Sequence, residues 1–550
     1  MTLKISGGTV YDPANGIDGE VRDICIDGGR IVAAVPADAR RIDADGMIVM
    51  PGGVDIHSHV AGSSVNLARR LTPDEHQNDP CAAPPFLADD GRGRSGSGGT
   101  VPSTFTTGYR YAGLGYTTVF DAAVAPALAR LSHAELEDTP IVDAGFFVLL
   151  GNDEFLLRQL AAGETARARE YAAWMVASTG AYGIKLVNPG GVELWKRGAR
   201  ERTELETPIG SSGVTPRLIL ETLVGAAESL QLPHAAHIHC NNLGVPGNVR
   251  TTVESMEAVA GRRAHFTHLQ FHSYDATDKG GWRSGAQTLI EYVNAHPEVT
   301  ADVGQVMFGP AMTLTADGPV EYLLHQSSGR KWVNVDIELE TGCGMVPYSF
   351  KERAAVAALQ WVVGLELFLL ASDPWRVLLS TDHPNGGSFL AYPELIRLLM
   401  DRTYRDEQLR RVNTALLAGS ALADGLSREY TLNEIAIITR AGPARVLGLR
   451  HKGHLGAGAD ADVTVYARGE DMAATFATPR YVVKSGELVV EEGQLRLAPA
   501  GRRLHVRPEY DTAVVPHVRE YFERYSSVAF RNYGIDTVRD EPQALRGVRR

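Results

Sequence analysis

Short stretches in which apolar and polar residues alternate occur at both ends of the chain. KISGGTVYD, DICIDGGRIV and MIVM lie within the first 50 residues, separated by Gly-Gly, Pro and Asp-Gly. Similar stretches, ADVTVYAR and RYVVKSGELVV, occur between residues 461 and 490. Alternation with a period of two between turn-forming residues is typical of short strands in hairpins. We therefore predict that residues 1–50 and 455–500 form one small β-sandwich domain, which the chain leaves and re-enters.

The middle region, residues 51–454, alternates apolar strand-like segments with helix-like ones. The helix-like segments include AREYAAWMVAST and RLILETLVGAAESL, and the strand-like ones are GVDIHSHV, TTVFDAA, IVDAGFFVLL, YGIKLVN, AAHIHC, AHFTHLQF, VTADVGQ and VLLSTDHP. Such alternation is typical of parallel β/α units, and about eight of them suit a closed (β/α)₈ TIM-type barrel. We predict this α/β fold. An open doubly wound sheet is the alternative, but no G-x-G-x-x-G fingerprint follows the first strand.

Composition narrows the classes of function. The chain has 550 residues, 44% hydrophobic and 22% charged, as expected of a globular protein with a large core. A net charge of −12 argues against nucleic acid as the main partner. The four cysteines form no Cys-x-x-Cys pair, so neither an iron–sulfur cluster nor a cysteine zinc site is predicted. No apolar run approaches the ~20 residues that span a bilayer and no signal peptide is recognisable, so we expect a cytoplasmic protein.

Polar side chains recur where the predicted strands end. In a barrel of this type the functional residues project from the carboxyl ends of the strands, and neutral imidazole is a common metal ligand. These residues are His57, His59, Lys185, His237, His239, His265, His268, His272 and Asp382, with His383 following. We predict that they meet at one rim and hold metal. The alternative is that each histidine is a hydrogen-bonded core residue and that the lysine pairs with a carboxylate.

The order of these residues resembles that of the amidohydrolase superfamily of metal-dependent hydrolases. TRAGPARVLGL and HKGHLGAGADADVTVY resemble the segment by which such enzymes re-enter their small β domain. The resemblance is closer to one branch, the A subunits of formylmethanofuran dehydrogenase and of the formyltransferase/hydrolase complex. It rests on TGYRYAGLGYTTVFDAAV, YGIKLVNPGG, HIHCNNLGVPGN, HFTHLQFHSY, ELETGCGMVPYS and STDHPNGGSF, which are spread over most of the chain.

The resemblance implies a binuclear metal site and a reaction. The ligands would be His57, His59, His239, His268, Asp382 and a carboxylated Lys185 that bridges two divalent ions, for which we expect Zn²⁺. A protonated lysine cannot ligate, whereas a desolvated one loses its proton more readily and can add CO₂. Asp382 would also be the general base. The implied reaction interconverts an N-formyl carrier of the methanofuran type with formate and the free amine. The alternatives are a cyclic amidase of the dihydropyrimidinase or hydantoinase type and a non-catalytic scaffold subunit.

Further residues are expected to bind substrate. Asn241, Asn242 and His272 follow the histidine-bearing strands and are substrate candidates. By resemblance the carrier ends in a polyglutamate tail, which calls for a basic funnel. We expect it to consist of arginines after the first barrel strand and basic residues after the lysine-bearing strand: Arg69, Arg70, Arg92, Arg94, Arg110, Lys196, Arg197, Arg200 and Arg202. The alternative is that these arginines pair with nearby carboxylates. The glycine-rich loop at 89–99 is expected to be mobile, and it would be either a lid or an idle insertion.

The resemblance also implies partner subunits, either a redox subunit or a formyltransferase. In the extension 501–550, VVPHVREYFERYSS places Val514, Val515, Val518, Tyr521 and Phe522 at helical spacing, which gives one apolar stripe. A partner subunit would cover that stripe in our interpretation. Packing on the chain's own barrel is the alternative.

Overall fold

The computed structural model describes residues 2–71, 104–198, 202–330, 332–335, 343–535, 538 and 540–546. The loop 89–99, together with Arg92, Arg94 and Arg200, lies outside these residues, as does ELETG at the start of ELETGCGMVPYS. Among the helices that are described, none is both long and apolar enough to cross a membrane.

Eight parallel strands form the centre of the molecule. They are β1 (Gly53–Ser58), β2 (Tyr116–Val124), β3 (Asp143–Leu149), β4 (Gly183–Val187), β5 (Ala236–His239), β6 (Ala264–Phe266), β7 (Val299–Asp302) and β8 (Val377–Leu378). Each strand pairs with the next along the chain. A bridge between Ser58 and His383, and a 2.7 Å hydrogen bond from the His59 amide to the His383 carbonyl, join the two edges. The predicted TIM-type barrel is confirmed.

Most helices surround the barrel, because their apolar faces pack on strands that are buried on both sides, whereas Ser63–Leu71 and Gly318–Ser328 lie beside the cavity described below. Their bounds are Ser63–Leu71, Thr104–Gly113, Ala129–Asp138, Glu154–Ala161, Thr165–Thr179, Gly191–Lys196, Pro216–Ser229, Asn248–Ala258, Ala286–Ala295, Gly318–Ser328, Ala355–Leu370, Tyr392–Met400, Arg402–Leu409, Leu432–Ala436, Gly442–Leu447, Met472–Ala477 and Val514–Tyr525. The predicted RLILETLVGAAESL helix begins at Pro216, after an N-cap at Thr215 whose hydroxyl accepts from the Leu218 amide.

Two small sheets lie beyond the barrel strands and form part of the cavity wall described below. One is the hairpin Tyr274–Ala276 and Trp282–Ser284, which follows β6. In the other, Cys343–Phe350 is the central strand and pairs antiparallel with Gly309–Thr315 and with Val333–Val335, and this sheet follows β7. Both therefore extend from loops at the carboxyl ends of the strands.

Both ends of the chain contribute to one nine-stranded sheet. Its strands are Leu3–Asp12, Ile17–Asp27, Arg30–Val32, Arg40–Asp43, Ile48–Pro51, Val463–Tyr466, Tyr481–Lys484, Glu487–Glu491 and Gln494–Leu495. The first strand bends at Gly7, which has a φ of 73°, and pairs with one parallel strand before the bend and another after it. The sheet thereby encloses its own core, which includes Ile5, Val10 and Val465. This is the predicted small β domain formed from the two termini.

The C-terminal extension packs on the barrel of the same chain. Arg503–Leu504 forms a short parallel pairing with β3. In the helix Val514–Tyr525, Val514, Val518 and Phe522 are all at most 5% exposed. Phe522 lies against Trp174 of the helix Thr165–Thr179, with ring centroids 6.5 Å apart. Val515 and Tyr521 are half-buried against the same core. The stripe that the sequence assigned to a partner thus packs on the chain's own barrel, because it matches an apolar face of the barrel's helix layer.

A buried ionic cluster joins the barrel, the small domain and the extension. Asp462 lies 2.7 Å from Lys452 and 3.1 Å from Lys484, and Asp143 of β3 lies 2.6 Å and 2.9 Å from the same two ammonium groups. Arg502 completes the cluster, 3.0 Å from Asp143. Burial opposes ionisation, but the two lysines lower the pKa of Asp462 to about 2. The folded chain therefore holds a charged network at the junction of its parts.

Asp462→Asn is expected to destabilise the fold by roughly 3 kcal/mol, because it removes one of the carboxylates that balance two buried lysines and leaves an excess of buried positive charge. Since the folded pKa lies below the usual 3.8, the stabilisation is present above about pH 4 and lost as the pH falls towards about 2. Urea unfolding at pH 7 and pH 3 measures both effects. Glu20→Gln, which breaks an exposed pair with Arg22, is the control and should cost less than about 1 kcal/mol. Equal losses in the two variants would contradict this account.

Candidate metal centre and active site

A cavity of about 580 Å³ opens at the carboxyl ends of the barrel strands. We call the six predicted ligands that line it the cavity floor: His57, His59, Lys185, His239, His268 and Asp382. Strand register explains why they meet. Lys185 of β4 pairs with His237 of β5, which pairs with His265 of β6, and His239 lies one level higher beside Val187. Residues far apart in the sequence thus share one end of the barrel.

One group of ligand atoms surrounds Asp382. Its Oδ1 lies 3.0 Å from His57 Nε2 and 3.2 Å from His59 Nε2. His57, His268 and Asp382 each place one possible ligand atom within 4.8 Å of the others. Burial opposes ionisation, but His57 and His268 hold the pKa of Asp382 well below its usual value. An ionised carboxylate with imidazole nitrogens around it can hold a divalent metal.

A second group lies beside the first and shares His268. His239, His268 and His272 also place one nitrogen each within 4.8 Å of one another. The Nε2 of His239 lies 2.8 Å from Asp317 Oδ2. Burial raises the pKa of Asp317 well above its usual value, and the contact holds the His239 ring in place. Two neighbouring metal sites are therefore possible, as a binuclear centre requires.

Lys185 lies between these groups and forms no ion pair with a carboxylate among the described residues. It is 1% exposed, and its Nζ donates to Thr267 Oγ1 at 3.3 Å. Burial lowers the pKa of Lys185 to about 8, against the opposing effect of Asp382, Asp302 and Asp121. The amine is therefore closer to its neutral form at physiological pH than an ordinary lysine. A neutral amine is what the addition of CO₂ requires.

A chain of buried imidazoles lies beneath the cavity floor. His234 Nδ1 lies 3.2 Å from the Val446 carbonyl oxygen, and His234 Nε2 lies 2.9 Å from His237 Nδ1. His237 Nε2 lies 3.0 Å from His57 Nδ1. Burial holds the pKa of His234 and His237 well below the usual value, so both rings are neutral. A carbonyl oxygen only accepts, so His234 Nδ1 donates to Val446, His237 Nδ1 donates to His234 Nε2, and His57 Nδ1 donates to His237 Nε2. The His57 ring therefore carries a proton on Nδ1, and its Nε2 faces Asp382.

Asp302, at the end of β7, holds several of these groups in place. Its Oδ2 lies 3.2 Å from both His57 Nδ1 and His265 Nε2, and its Oδ1 accepts from the His268 amide and the Ser380 hydroxyl. Burial disfavours a protonated His57, but the carboxylates of Asp302 and Asp382 outweigh this effect and raise the pKa of His57 to about 9. A cation that binds at His57 Nε2 therefore displaces a proton.

The backbone at the cavity floor is strained. His268 and Asp382 adopt left-handed φ angles of 36° and 49°, which non-glycine residues rarely occupy. Gly304, itself at φ +64°, lies against both residues, and a Cβ there would overlap the Cβ of His268 and lie 2.7 Å from its Cα. The missing side chain at Gly304 thus leaves the space that His268 fills.

Gly304→Ala is expected to displace His268 and to destabilise the fold by about 3 kcal/mol, since it adds overpacking to a left-handed conformation. The free energy of unfolding and the bound metal per chain measure the two consequences. Gly163→Ala is the matched control: φ is +76° there, and no described atom lies within 4 Å of the added Cβ. It should cost only about 1 kcal/mol and leave bound metal unchanged. The same metal content in both variants would contradict the role given to Gly304.

Three of the predicted substrate residues lie off the cavity wall. Asn241 donates to Asn188 Oδ1 and to the Pro189 carbonyl, at 2.8 and 3.0 Å. Asn242 accepts from the Thr203 amide at 2.8 Å and supports the loop after β5. His272 is fully buried behind the cavity floor. The two amides thus bond to neighbouring loops and the ring is buried. None of the three is among the described residues that line the cavity.

The described basic residues do not form the predicted funnel at the cavity mouth. Arg69 is 7% exposed and donates to Asn66 Oδ1 at 2.9 Å, and Arg110 is 6% exposed. Arg70 is exposed but is not among the described residues that line the cavity. Lys196 pairs with Glu193 at 3.1 Å, as the alternative of local carboxylate pairing expected. The side chains of Arg69 and Arg110 are thus buried in the fold and are not presented to solvent.

The cavity wall is mainly apolar, which the sequence did not indicate. Its large apolar residues are Leu149, Leu243, Phe271, Trp282, Leu314, Val320, Leu323, Tyr348 and Phe350. They come from segments that follow different strands. In the sequence, an apolar residue in such a segment cannot be distinguished from an ordinary core residue. Asp302 could have been identified from the sequence, since it is the only charged residue within the strand-like segment VTADVGQ.

The model of the amidohydrolase family matches residues 40–490. The chain belongs to this family. It is therefore a hydrolase with the family's barrel, and its His, Lys and Asp side chains occupy the end of that barrel where the cavity opens.

Two relatives match almost the whole chain. Protein FwdA of Methanocaldococcus jannaschii is 43% identical, with 97% of each chain covered. The A subunit of the formyltransferase/hydrolase complex Fhc of Methylorubrum extorquens is 39% identical over 95% of this chain and 94% of its own. The crystal structure of FhcABCD from Methylorubrum extorquens in complex with methylofuran contains a chain with a TM-score of 0.92 and 36% identity. That match covers 99% of this chain and 100% of the other. The chain belongs with these proteins within the family.

Proposed function

We propose that this protein is a binuclear-metal amide hydrolase that interconverts an N-formyl carrier of the methanofuran type with formate and the free carrier amine. The observation that supports this most is the near-complete match to both FwdA and the Fhc A subunit, combined with a cavity that ends on His57, His59, Lys185, His239, His268 and Asp382. Similarity over almost the whole chain includes the loops around the cavity as well as the barrel strands.

The donor set fits two divalent ions. Imidazoles and carboxylates are grouped at two adjacent points, and the buried Nδ1 of His268 has no hydrogen-bond partner among the described residues. His57, His59 and Asp382 would hold one ion, His239 and His268 the other, and carboxylated Lys185 would bridge them. When bound, such ions polarise an acyl oxygen and make water more acidic, and imidazole-rich sites favour Zn²⁺.

Asp382 is the residue that we assign to proton transfer. Its ionised carboxylate faces the cavity, so it can accept a proton from the attacking water and pass it to the leaving nitrogen. Asn385 donates to Asp382 Oδ1 at 3.1 Å and orients it. In the reverse direction the same carboxylate takes a proton from the carrier ammonium. Chemistry of this kind serves both hydrolysis and formylation.

The apolar wall supports a carrier whose reactive end is an uncharged ring. Phe271, Trp282 and Tyr348 line the cavity and offer flat apolar surfaces. A furan ring next to the formamide would bury its apolar area there, whereas a polyglutamate tail would remain outside the cavity. The wall thus selects the head of the carrier.

The alternatives have less support. A cyclic amidase would be expected to share full-length similarity with dihydropyrimidinases rather than with FwdA and the Fhc A subunit. A scaffold subunit would not need Lys185 and Asp382 side by side in an open cavity. We also propose that the chain works within a larger one-carbon complex, since the Fhc relative belongs to the FhcABCD complex.

The test is to purify the chain with whatever subunits accompany it, and to measure bound metal and formate release from an N-formyl methylofuran. About two metal ions per chain and formate release that a chelator abolishes are expected. N-formylfurfurylamine serves as a probe of the head alone. Metal-loaded protein that releases no formate from either substrate, but opens a dihydropyrimidine ring, would replace this proposal with the cyclic amidase.

A further inference from the structure

His272 has an unexplained position in the structure. Its side chain is 0% exposed, and neither ring nitrogen has a hydrogen-bond partner among the described residues. Buried polar groups in native proteins are nearly always bonded, and leaving one unpaired costs about 1–3 kcal/mol. Two orphan nitrogens on one ring therefore indicate a partner that is not part of the chain.

The neighbours of His272 define what that partner is. The centroid of its ring lies 5.1 Å from that of His239 and 5.3 Å from that of His268. One nitrogen of each ring lies within 4.8 Å of the others. An ion about 2.0–2.1 Å from each nitrogen can reach all three after small ring rotations. A water molecule would satisfy at most part of this group, whereas a transition-metal ion uses three nitrogen lone pairs together.

The cavity argues against a substrate contact. His239 and His268 line it, whereas His272 is fully buried and is not among the described residues of its wall. The His272 ring therefore offers no exposed surface to a substrate group in the cavity. His272 is therefore placed to contact what these two imidazoles hold, and not what enters from solvent.

We propose that His272 is a metal ligand and that, with His239 and His268, it forms a three-imidazole site for one divalent transition-metal ion. The inference rests on the proposed function, to which it adds a ligand. It makes the two ions unequal, because one has three imidazoles and the other has His57, His59 and the Asp382 carboxylate. A nitrogen-rich site of this kind favours Zn²⁺, Co²⁺ or Ni²⁺ over Mg²⁺ or Mn²⁺.

Metal analysis of variants tests the proposal on the full chain with its co-purifying subunits. His272→Ala and the volume-filling His272→Phe are each dialysed against a competing chelator and compared with the unmodified protein. His133→Ala is the matched control, because His133 is also buried but bonds to the Thr179 carbonyl at 2.8 Å, outside the cavity. We expect about two ions in the unmodified protein and in His133→Ala, and about one in both His272 variants. In the Co²⁺-substituted protein the visible spectrum should change only in the His272 variants.

Two ions of unaltered affinity and an unaltered Co²⁺ spectrum in the His272 variants would overturn the proposal, whether or not KM rises. An anomalous difference map of the unmodified, Zn²⁺-loaded protein gives an answer even if both variants unfold. An ion within about 2.3 Å of a His272 nitrogen is expected, and one beyond about 3 Å of both nitrogens overturns the inference. A protein that shows this ligand yet releases no formate would refute the proposed function and leave the ligand standing.

Discussion

Replacing Lys185 by methionine is expected to weaken metal binding by more than about 100-fold and to reduce formate release to background. Loss of even an outer partner of a ligand costs about 10–100-fold in metal affinity, and here the shared anionic bridge itself is removed. Methionine is close in length to lysine and apolar, but its thioether cannot add CO₂. Lys185 is buried and forms no ion pair with the described residues. The free energy of unfolding of the metal-free variant should therefore lie within about 1.5 kcal/mol of that of the unmodified, metal-free chain.

Lys452→Met is the matched control. Lys452 is also a buried lysine, but it lies 2.6 Å from Asp143 and 2.7 Å from Asp462, away from the cavity. Its loss should destabilise the fold by roughly 3 kcal/mol and leave metal binding intact below the unfolding transition. Chelator competition and urea unfolding of both variants separate the two roles. A Lys185→Met protein that still holds two ions would remove the bridge from the proposal.

Replacing Asp382 by asparagine is expected to lower kcat by about 10²–10⁴-fold, because the amide cannot accept the proton that the carboxylate takes. The amide oxygen can still approach an ion, and His57 and His59 remain beside it, so most bound metal should stay. The expected pattern is thus a metal-loaded protein that turns over very slowly. Single-turnover formate release together with metal analysis measures it.

Asp153→Asn makes the same chemical change in a buried carboxylate that caps the helix Glu154–Ala161 and accepts from the Tyr171 hydroxyl. Asparagine is nearly as good an N-cap as aspartate, so stability and turnover should change little. Near-normal turnover in Asp382→Asn would contradict its role as general base. Loss of metal together with turnover would instead make Asp382 mainly a ligand.

The meeting of the candidate metal ligands could be predicted because a parallel barrel brings the ends of all its strands to one rim. His57, Lys185, His239, His268 and Asp382 each follow an apolar segment, so their meeting follows from the strand pattern alone. The same logic fails for residues beyond the strands. Asn241 and Asn242 follow β5 directly, yet their amides bond to neighbouring loops because those backbone groups need partners.

Periodicity also identified the helix Val514–Tyr525 and its apolar stripe, but it carries no information on what covers the stripe. The answer depended on Trp174 and the rest of the helix Thr165–Thr179, which lies more than three hundred residues earlier in the chain. Arg69 shows the same limit for charge. Its position in the sequence is that of a surface residue near the mouth, whereas its guanidinium is used inside the fold.

By itself, then, the sequence determined the α/β barrel, the small domain built from both termini and the residues of the cavity floor, since period, strand order and residue chemistry are local properties. Tertiary structure decided which histidine nitrogens are free, that His272 lies behind His239 and His268, and that the cavity wall is apolar. These depend on which side chains from distant loops occupy the same space, and that is set by packing across the whole barrel rather than by any segment of it.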